Sequence, residues 1–275
     1  IAAPPHEWAE YIADEANGSE ERKLPPFRGV CKFTKKLLYD NMRRNFAKKF
    51  PDIHAITQSQ SGPVMILGGG PSVDGEIDEI KRMYDQGIPI VTIARMYPWC
   101  VEHGIVPQYL VSLDCSEEQE KGFTHIQDKT IHLMATVTRP ELLDMIDAAN
   151  GKIYVFDSRD DRKIKRLRRD AGYAVATVIN SGGTVVITSL SVAFNLGFTD
   201  IHIFGLDCMF ASVDKFHASG IAGKSVEQRV LTVSIGGKEL LTTPSFIEFA
   251  RQGLDLINIA HSEGILNSIQ IHGES

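Results

Sequence analysis

The sequence has few cysteines and no pairing pattern among them. Cys31, Cys100, Cys115 and Cys208 are its four, scattered over 275 residues without a CxxC. A zinc knuckle and a dense disulfide framework are excluded, and a reducing, cytoplasmic compartment is expected. The nine histidines form no HxH or HExxH pattern, so zinc chemistry is not expected. No apolar run approaches the ~20 residues needed to span a bilayer. Neither charge sign dominates: 29 Lys and Arg stand against 35 Asp and Glu, a net charge of −6. That balance gives no global attraction for nucleic acid or anionic lipid. What is present, 43% hydrophobic and 23% charged residues, is ordinary for a globular protein of one large α/β domain or two small ones.

Residues 1–25 carry Pro4-Pro5, Asn17-Gly18 and Pro25-Pro26 and read as an arm with linkers. From Lys32 to Phe50, Leu37, Leu38, Met42 and Phe46 fall at spacings near three and four, which predicts an amphipathic helix. Lys35, Lys36, Arg43, Arg44, Lys48 and Lys49 occupy its polar positions. A basic face of this kind suits a phosphate-rich surface, but a solvated face on a helix packed against the main domain is the expected role. The chain therefore divides into a helical arm over 1–55 and a main domain over 56–275.

In the main domain short apolar runs alternate with amphipathic stretches. Val64–Leu67, Ile88–Ile93, Tyr109–Leu113, Ile131–Met134, Ile153–Phe156 and Ile201–Phe204 read as strands covered on both faces. Ile77–Asp85, Glu141–Ala148 and Val185–Leu196 read as helices between them. This alternation predicts an α/β fold with a doubly wound, mostly parallel sheet. Toward the end, Val230–Ser234 and Glu239–Leu241 flank Gly236-Gly237 as a hairpin. Thr243-Pro244 then opens a helix with a hydroxyl cap and an early proline, and Ile269–Ile271 is a closing strand.

In such a sheet ligands bind beyond the carboxyl ends of the strands. Gly68-Gly69-Gly70-Pro71-Ser72 follows the first strand directly and precedes a helix, as a phosphate-cradling loop does. It is not the usual dinucleotide fingerprint: Val73 stands at the third glycine position, and the second strand ends in Ala94-Arg95 instead of a ribose-binding acid, so no NAD is expected. No Gly-Lys-Ser/Thr follows to make a Walker loop. Asp114 and Asp207 follow the third and the sixth strands, where an acid can hold Mg²⁺ beside phosphates, bind a ribose or act as a base. Ser181, Gly182 and Gly183, before the helix from Val185, repeat the small-residue logic of the first loop, for close approach by a ligand or by backbone. His217 lies in a loop downstream of Asp207, where a near-neutral side chain can move a proton. Arg162–Arg169 is strongly basic and reads as a solvated helix face.

The ordered set Leu67–Ser72, Gly104-Ile105-Val106-Pro107, Leu113-Asp114, Ser181–Thr184, Leu196-Gly197-Phe198, Gly205-Leu206-Asp207 and His217–Gly220 resembles the archaeal 6-hydroxymethylpterin diphosphokinase (MptE-like) family. The same domain occurs in bacterial motility-accessory-factor proteins of flagellin glycosylation. A looser likeness is to a bacterial sialyltransferase family that also opens with Gly-x-Gly-Pro-Ser. The resemblance spans about residues 60–245. It implies a Rossmann-like fold and a transferase using a nucleotide-activated donor. Gly68, Gly70, Pro71 and Ser72 would form the donor-phosphate loop, Asp114 and Asp207 the acids of the site, and His217 a catalytic or phosphate-contacting histidine. Pro107-Gln108 replaces the family's frequent Pro-Asp, and Arg95 replaces a small or amide residue.

Two transfer chemistries follow: diphosphate from ATP to an acceptor hydroxyl, with Mg²⁺ on Asp114 or Asp207, or a glycosyl group from a nucleotide sugar. A nucleotide-binding module without catalysis is the alternative of a different class. In each case the partner is a small-molecule nucleotide; the acceptor is a pterin, a glycan or a protein.

Overall fold

The computed structural model describes residues 33–115, 123, 126–175, 177–179, 182–210, 212, 217–219, 221, 230–235 and 237–273. Residues 1–32 of the expected arm, together with Ser181, lie outside the described residues.

Seven parallel strands form one sheet: β1 (Pro63–Leu67), β2 (Ile90–Ile93), β3 (Tyr109–Ser112), β4 (Ile131–Ala135), β5 (Lys152–Phe156), β6 (Asp200–Phe204) and β9 (Ser268–His272). Their order is β5-β4-β3-β2-β1-β6-β9. The chain winds outward from β1 in one direction as far as β5, then returns to the other side of β1 with β6. β2 and β3 are buried at every position and β1 at every position after Pro63, which explains why they read as unbroken apolar runs. β2 starts at Ile90, two residues later than the run predicts, because Pro89 brings no N–H to the ladder. Leu67 lies level with both Thr92 of β2 and Phe204 of β6, so the three central strands finish side by side.

Seven α-helices are described: α1 (Lys35–Ala47), α2 (Ile77–Asp85), α3 (Tyr97–Glu102), α4 (Pro140–Ala148), α5 (Arg162–Asp170), α6 (Val185–Leu196) and α7 (Pro244–Ser262). α6 is apolar around most of its surface and packs against β1, β2 and β3, capped by the Thr184 hydroxyl. α7 begins where Thr243 accepts from the Phe246 N–H, with Pro244 in its first turn.

α1 is a full member of this fold. Leu38, Met42 and Phe46 enter the main core, while Asn45 donates to the carbonyls of Thr136 and Thr138, and Asn41 to that of Val137. Its basic edge meets α4 through Arg44–Glu141 and Lys48–Asp144. The described part of the arm thus shares its core with the main domain.

The hairpin of β7 (Leu231–Ile235) and β8 (Lys238–Thr242) is antiparallel and stands outside the main sheet. With Met209 and Ile247 it makes a small apolar cluster of its own. Phe210 pairs with Leu241, and the Thr242 hydroxyl donates to the Cys208 carbonyl, so the hairpin braces the segment that leaves β6.

Candidate functional site at the strand-order switch

β1 and β6 are neighbours in space but far apart in the chain, and their connections leave in opposite directions. That reversal opens a crevice at their carboxyl ends. The Gly68–Ser72 loop emerges on one side of it and Gly205–Asp207 on the other.

The two segments are locked together. Gly68 N–H donates to the Phe204 carbonyl at 2.7 Å and Gly70 N–H to that of Gly205 at 3.0 Å. Ser72 grips Asp207 twice: its N–H meets Oδ2 at 2.8 Å and its hydroxyl meets Oδ1 at 2.5 Å. The glycines allow this approach. A Cβ on Gly68 would stand 2.5 Å from the Gly205 oxygen, and one on Gly70 would stand 2.6 Å from the Asp207 carboxylate. Gly205 itself sits at φ +70, in the left-handed region that glycine favours.

Asp207 is only 5% exposed. Burial raises its pKa above the ordinary carboxylate value, against the lowering pull of the two Ser72 bonds. Cys208 next to it holds a positive φ of 51°, and burial together with Asp207 pushes its thiol up to about 12. The thiol is therefore protonated at neutral pH and no nucleophile.

His217 reaches the same loop from the other side. Its Nδ1 lies 3.3 Å from the Gly69 carbonyl, and the following Ala218 N–H donates to that oxygen at 3.1 Å. A carbonyl only accepts, so Nδ1 carries the proton and Nε2 the lone pair. Arg95, at the end of β2, donates from Nη1 to that Nε2 at 2.8 Å. Burial first, and the neighbouring guanidinium second, lower the His217 pKa, which leaves the ring neutral at pH 7. Ser219 anchors the segment by donating from its N–H and hydroxyl to Asp74, both at 2.8 Å. Sequence reasoning names the loop, Asp207 and His217; it treats Arg95 only as a departure from the family pattern, and Asp74 gives no signal beyond its place after the glycine turn.

The other expected residues stand elsewhere. Asp114 follows β3, on the same carboxyl edge but three strand spacings from β6, about 14 Å. Gly182 and Gly183 precede α6, and a Cβ on Gly183 would meet the Phe249 ring of α7 at 2.2 Å, so packing between helices already requires glycine there. Arg168 of the basic helix is buried, not solvated. It bonds Asp157 at 2.8 Å and Asp52 at 2.6 Å, because the helix turns that one position toward β5. A cleft of about 240 Å³ lined by Tyr84, Pro89, Val106 and Lys129 opens toward the amino ends of the strands, on the far side from this chemistry.

Each oxygen of the buried Asp207 accepts one bond from Ser72, which leaves a second lone pair on each. Among the described residues no group of three or more His, Cys, Asp or Glu side chains is arranged to hold a metal ion. No described helix is long and apolar enough to cross a membrane.

The fold has solved relatives. The structure of Maf glycosyltransferase from Magnetospirillum magneticum AMB-1 superposes with a TM-score of 0.63 at 19% identity, over 90% of this chain and 38% of that one. The present chain thus spans well under half the length of that protein, and the likeness is one of fold. A mammalian sialyltransferase crystallised with Gal-beta-1-3GalNAc-ortho-nitrophenol matches over 98% of this chain and 96% of its own, but at 7% identity and a TM-score of 0.41 no argument rests on it. No curated protein matches at a significant level. The sequence profile of one family does match, over residues 36–213, from α1 through the glycine loop to the segment beyond Asp207. With more than half of the chain matched, and with the glycine loop, Asp207 and His217 meeting at one crevice, this chain belongs to the 6-hydroxymethylpterin diphosphokinase MptE-like family.

Proposed function

We propose that the chain is a transferase that takes a nucleotide-activated donor over the Gly68–Ser72 loop and passes diphosphate to an acceptor hydroxyl. The observation that carries this reading is the meeting of Ser72, Asp207 and His217 where the strand order reverses. In that reaction the acceptor oxygen attacks the β-phosphorus of ATP. The bond from that phosphorus to the oxygen bridging it to the α-phosphorus breaks, and AMP leaves. The acceptor's proton goes to a base, and His217 is suited to take it: neutral, fixed by Gly69, with its lone pair on Nε2. Asp207 acts through Ser72, holding the loop in the shape that receives the donor. Asp114, partly exposed at the end of β3, is assigned to the acceptor side, and Ser181, Gly182 and Gly183 to the outer phosphates. A donor cation would come bound to the phosphates and could be held by Asp114 or by the remaining lone pairs of Asp207. The acceptor is a hydroxymethyl group of the kind named in the family's description.

Glycosyl transfer from a nucleotide sugar is the second reading, favoured by the shared fold with Maf glycosyltransferase. There the loop would hold the leaving nucleotide. A histidine kept neutral by burial and Arg95 is a poorer proton donor than acceptor, which weighs toward the first reading. Incubation with ATP and with CMP-, UDP- and GDP-sugars separates them. AMP release supports diphosphate transfer and CMP, UDP or GDP release supports glycosyl transfer. Binding with neither product across the panel makes the chain a binding module and overturns both.

A further inference from the structure

Three of the four amides in the Gly68–Ser72 loop are already engaged: Gly68 N–H with Phe204, Gly70 N–H with Gly205, and Ser72 N–H with Asp207. Pro71 has none. The Ser72 hydroxyl is also taken by Asp207. A polyphosphate therefore finds little in the loop backbone to neutralise it. Gly69 is different. Its N–H has no partner among the described residues. The glycine itself is buried, and a Cβ built on it would meet Ile221, His217 and Met96 at ordinary contact distances of 3.8 to 3.9 Å. Charge for the phosphates therefore has to come from a side chain beside the loop.

Arg95 stands there, its Nη1 2.8 Å from the His217 ring that packs beside Gly69. Its neighbours Ala94 and Met96 are buried and fix the turn that follows β2, while its own side chain is exposed. Arg82, Arg168 and Arg251 each hold a carboxylate. Among the described residues Arg95 has none; a neutral imidazole takes a single one of its donors. A guanidinium offers five N–H groups in a planar fork matched to oxyanions, and a neutral acceptor is a weak substitute for one.

We propose that Arg95 is the anion-recognising residue of this site, clamping the diphosphate of a nucleotide donor laid against the Gly68–Ser72 loop, and that His217 holds the guanidinium in place until the donor arrives. The proposal rests on the reading of the site as a nucleotide-donor crevice and adds the charge which that reading lacks. When the guanidinium turns to the phosphates, Nε2 of His217 is released beside the reacting groups. Donor binding and exposure of the base are then one event.

Calorimetric titration of the full chain with inorganic pyrophosphate, with ADP, GDP, UDP and CDP, and with adenosine tests it, in the wild type and in Arg95→Ala and Arg95→Lys. The expected result is a loss of about 10- to 100-fold in pyrophosphate and nucleoside diphosphate affinity in Arg95→Ala, with partial recovery in Arg95→Lys and no change toward adenosine. The melting temperature should stay close to the wild-type value, since the side chain is exposed, and the His217 titration followed by NMR should move up once the neighbouring cation is gone. Equal diphosphate affinity in wild type and Arg95→Ala overturns the proposal and leaves the nucleotide-donor reading standing. Arg95-dependent pyrophosphate binding without binding of any nucleotide supports the anion clamp and sinks that reading. Absence of any binding by the wild type overturns both.

Discussion

A methyl group on Gly68 would press on the Gly205 carbonyl and one on Gly70 on the Asp207 carboxylate, whereas one on Gly69 would touch only side chains at ordinary contact distance. The three glycines therefore answer to different needs, and alanine substitutions separate them. Gly69→Ala should keep the wild-type melting temperature, because its methyl fits at ordinary contact distance. Gly68→Ala should melt at a lower temperature, with a cost of about 1–3 kcal/mol for the forced shift. Both are read by thermal melts, and a loss of stability in Gly69→Ala as large as in Gly68→Ala would falsify the distinction. Asp207 gives a second test. In Asp207→Asn the amide oxygen can accept from the Ser72 N–H while the new NH2 donates to the Ser72 hydroxyl oxygen, so two bonds to a charged group become two neutral ones, at a cost of about 1 kcal/mol. Because its folded pKa is raised, Asp207 contributes stability in full below the ordinary carboxylate value and loses it as pH rises through the raised one. Denaturant melts of the pair should accordingly differ more in acid than at neutral pH.

Among the elements, α5 shows how a basic helix becomes structural. Arg168 lies between Asp52 and Asp157, with the Thr136 hydroxyl on Asp157 and the Thr177 hydroxyl on Asp52. The network ties the segment after α1, the end of β5 and α5 into one unit. Arg168→Ala leaves two buried carboxylates without their cation and should destabilise by about 3–5 kcal/mol, measured by urea unfolding. Lys163→Ala on the same helix should stay near wild type, which shows that the effect belongs to the one buried position and not to the basic face. The composition of Arg162–Arg169 marks the helix but cannot mark which arginine turns inward, since that depends on where β5 lies. The same holds at α1: its apolar spacing is visible in sequence, yet the docking of Asn41 and Asn45 onto the carbonyls after β4 is not, because those carbonyls come from residues 136–138. Strands and helices with a strong local pattern, such as Val185–Leu196, are legible to the residue.

For the molecule as a whole, buried histidines set the response to acid. Burial lowers His132 and His272 to about 4 and also lowers His202 and His217. A histidine with a lowered folded pKa contributes its stability in full above the ordinary value near 6.5 and loses it as pH falls through the lowered one. The melting temperature should therefore drop between pH 6.5 and 4, and His132→Asn should show a shallower drop over that window, by calorimetry. Sequence alone determined the α/β class, the run of strands and helices, and the glycine turn, because each is written in local periodicity and in residues a few positions apart. Tertiary structure decided which partners those residues meet. The return of β6 to the side of β1 sets Asp207 against Ser72, and the register of β1, β2 and β6 brings Arg95 and His217 together beside the glycine loop. Hydrogen bonds between residues more than a hundred positions apart are fixed by strand order and register, and neither is encoded in any local window of the chain.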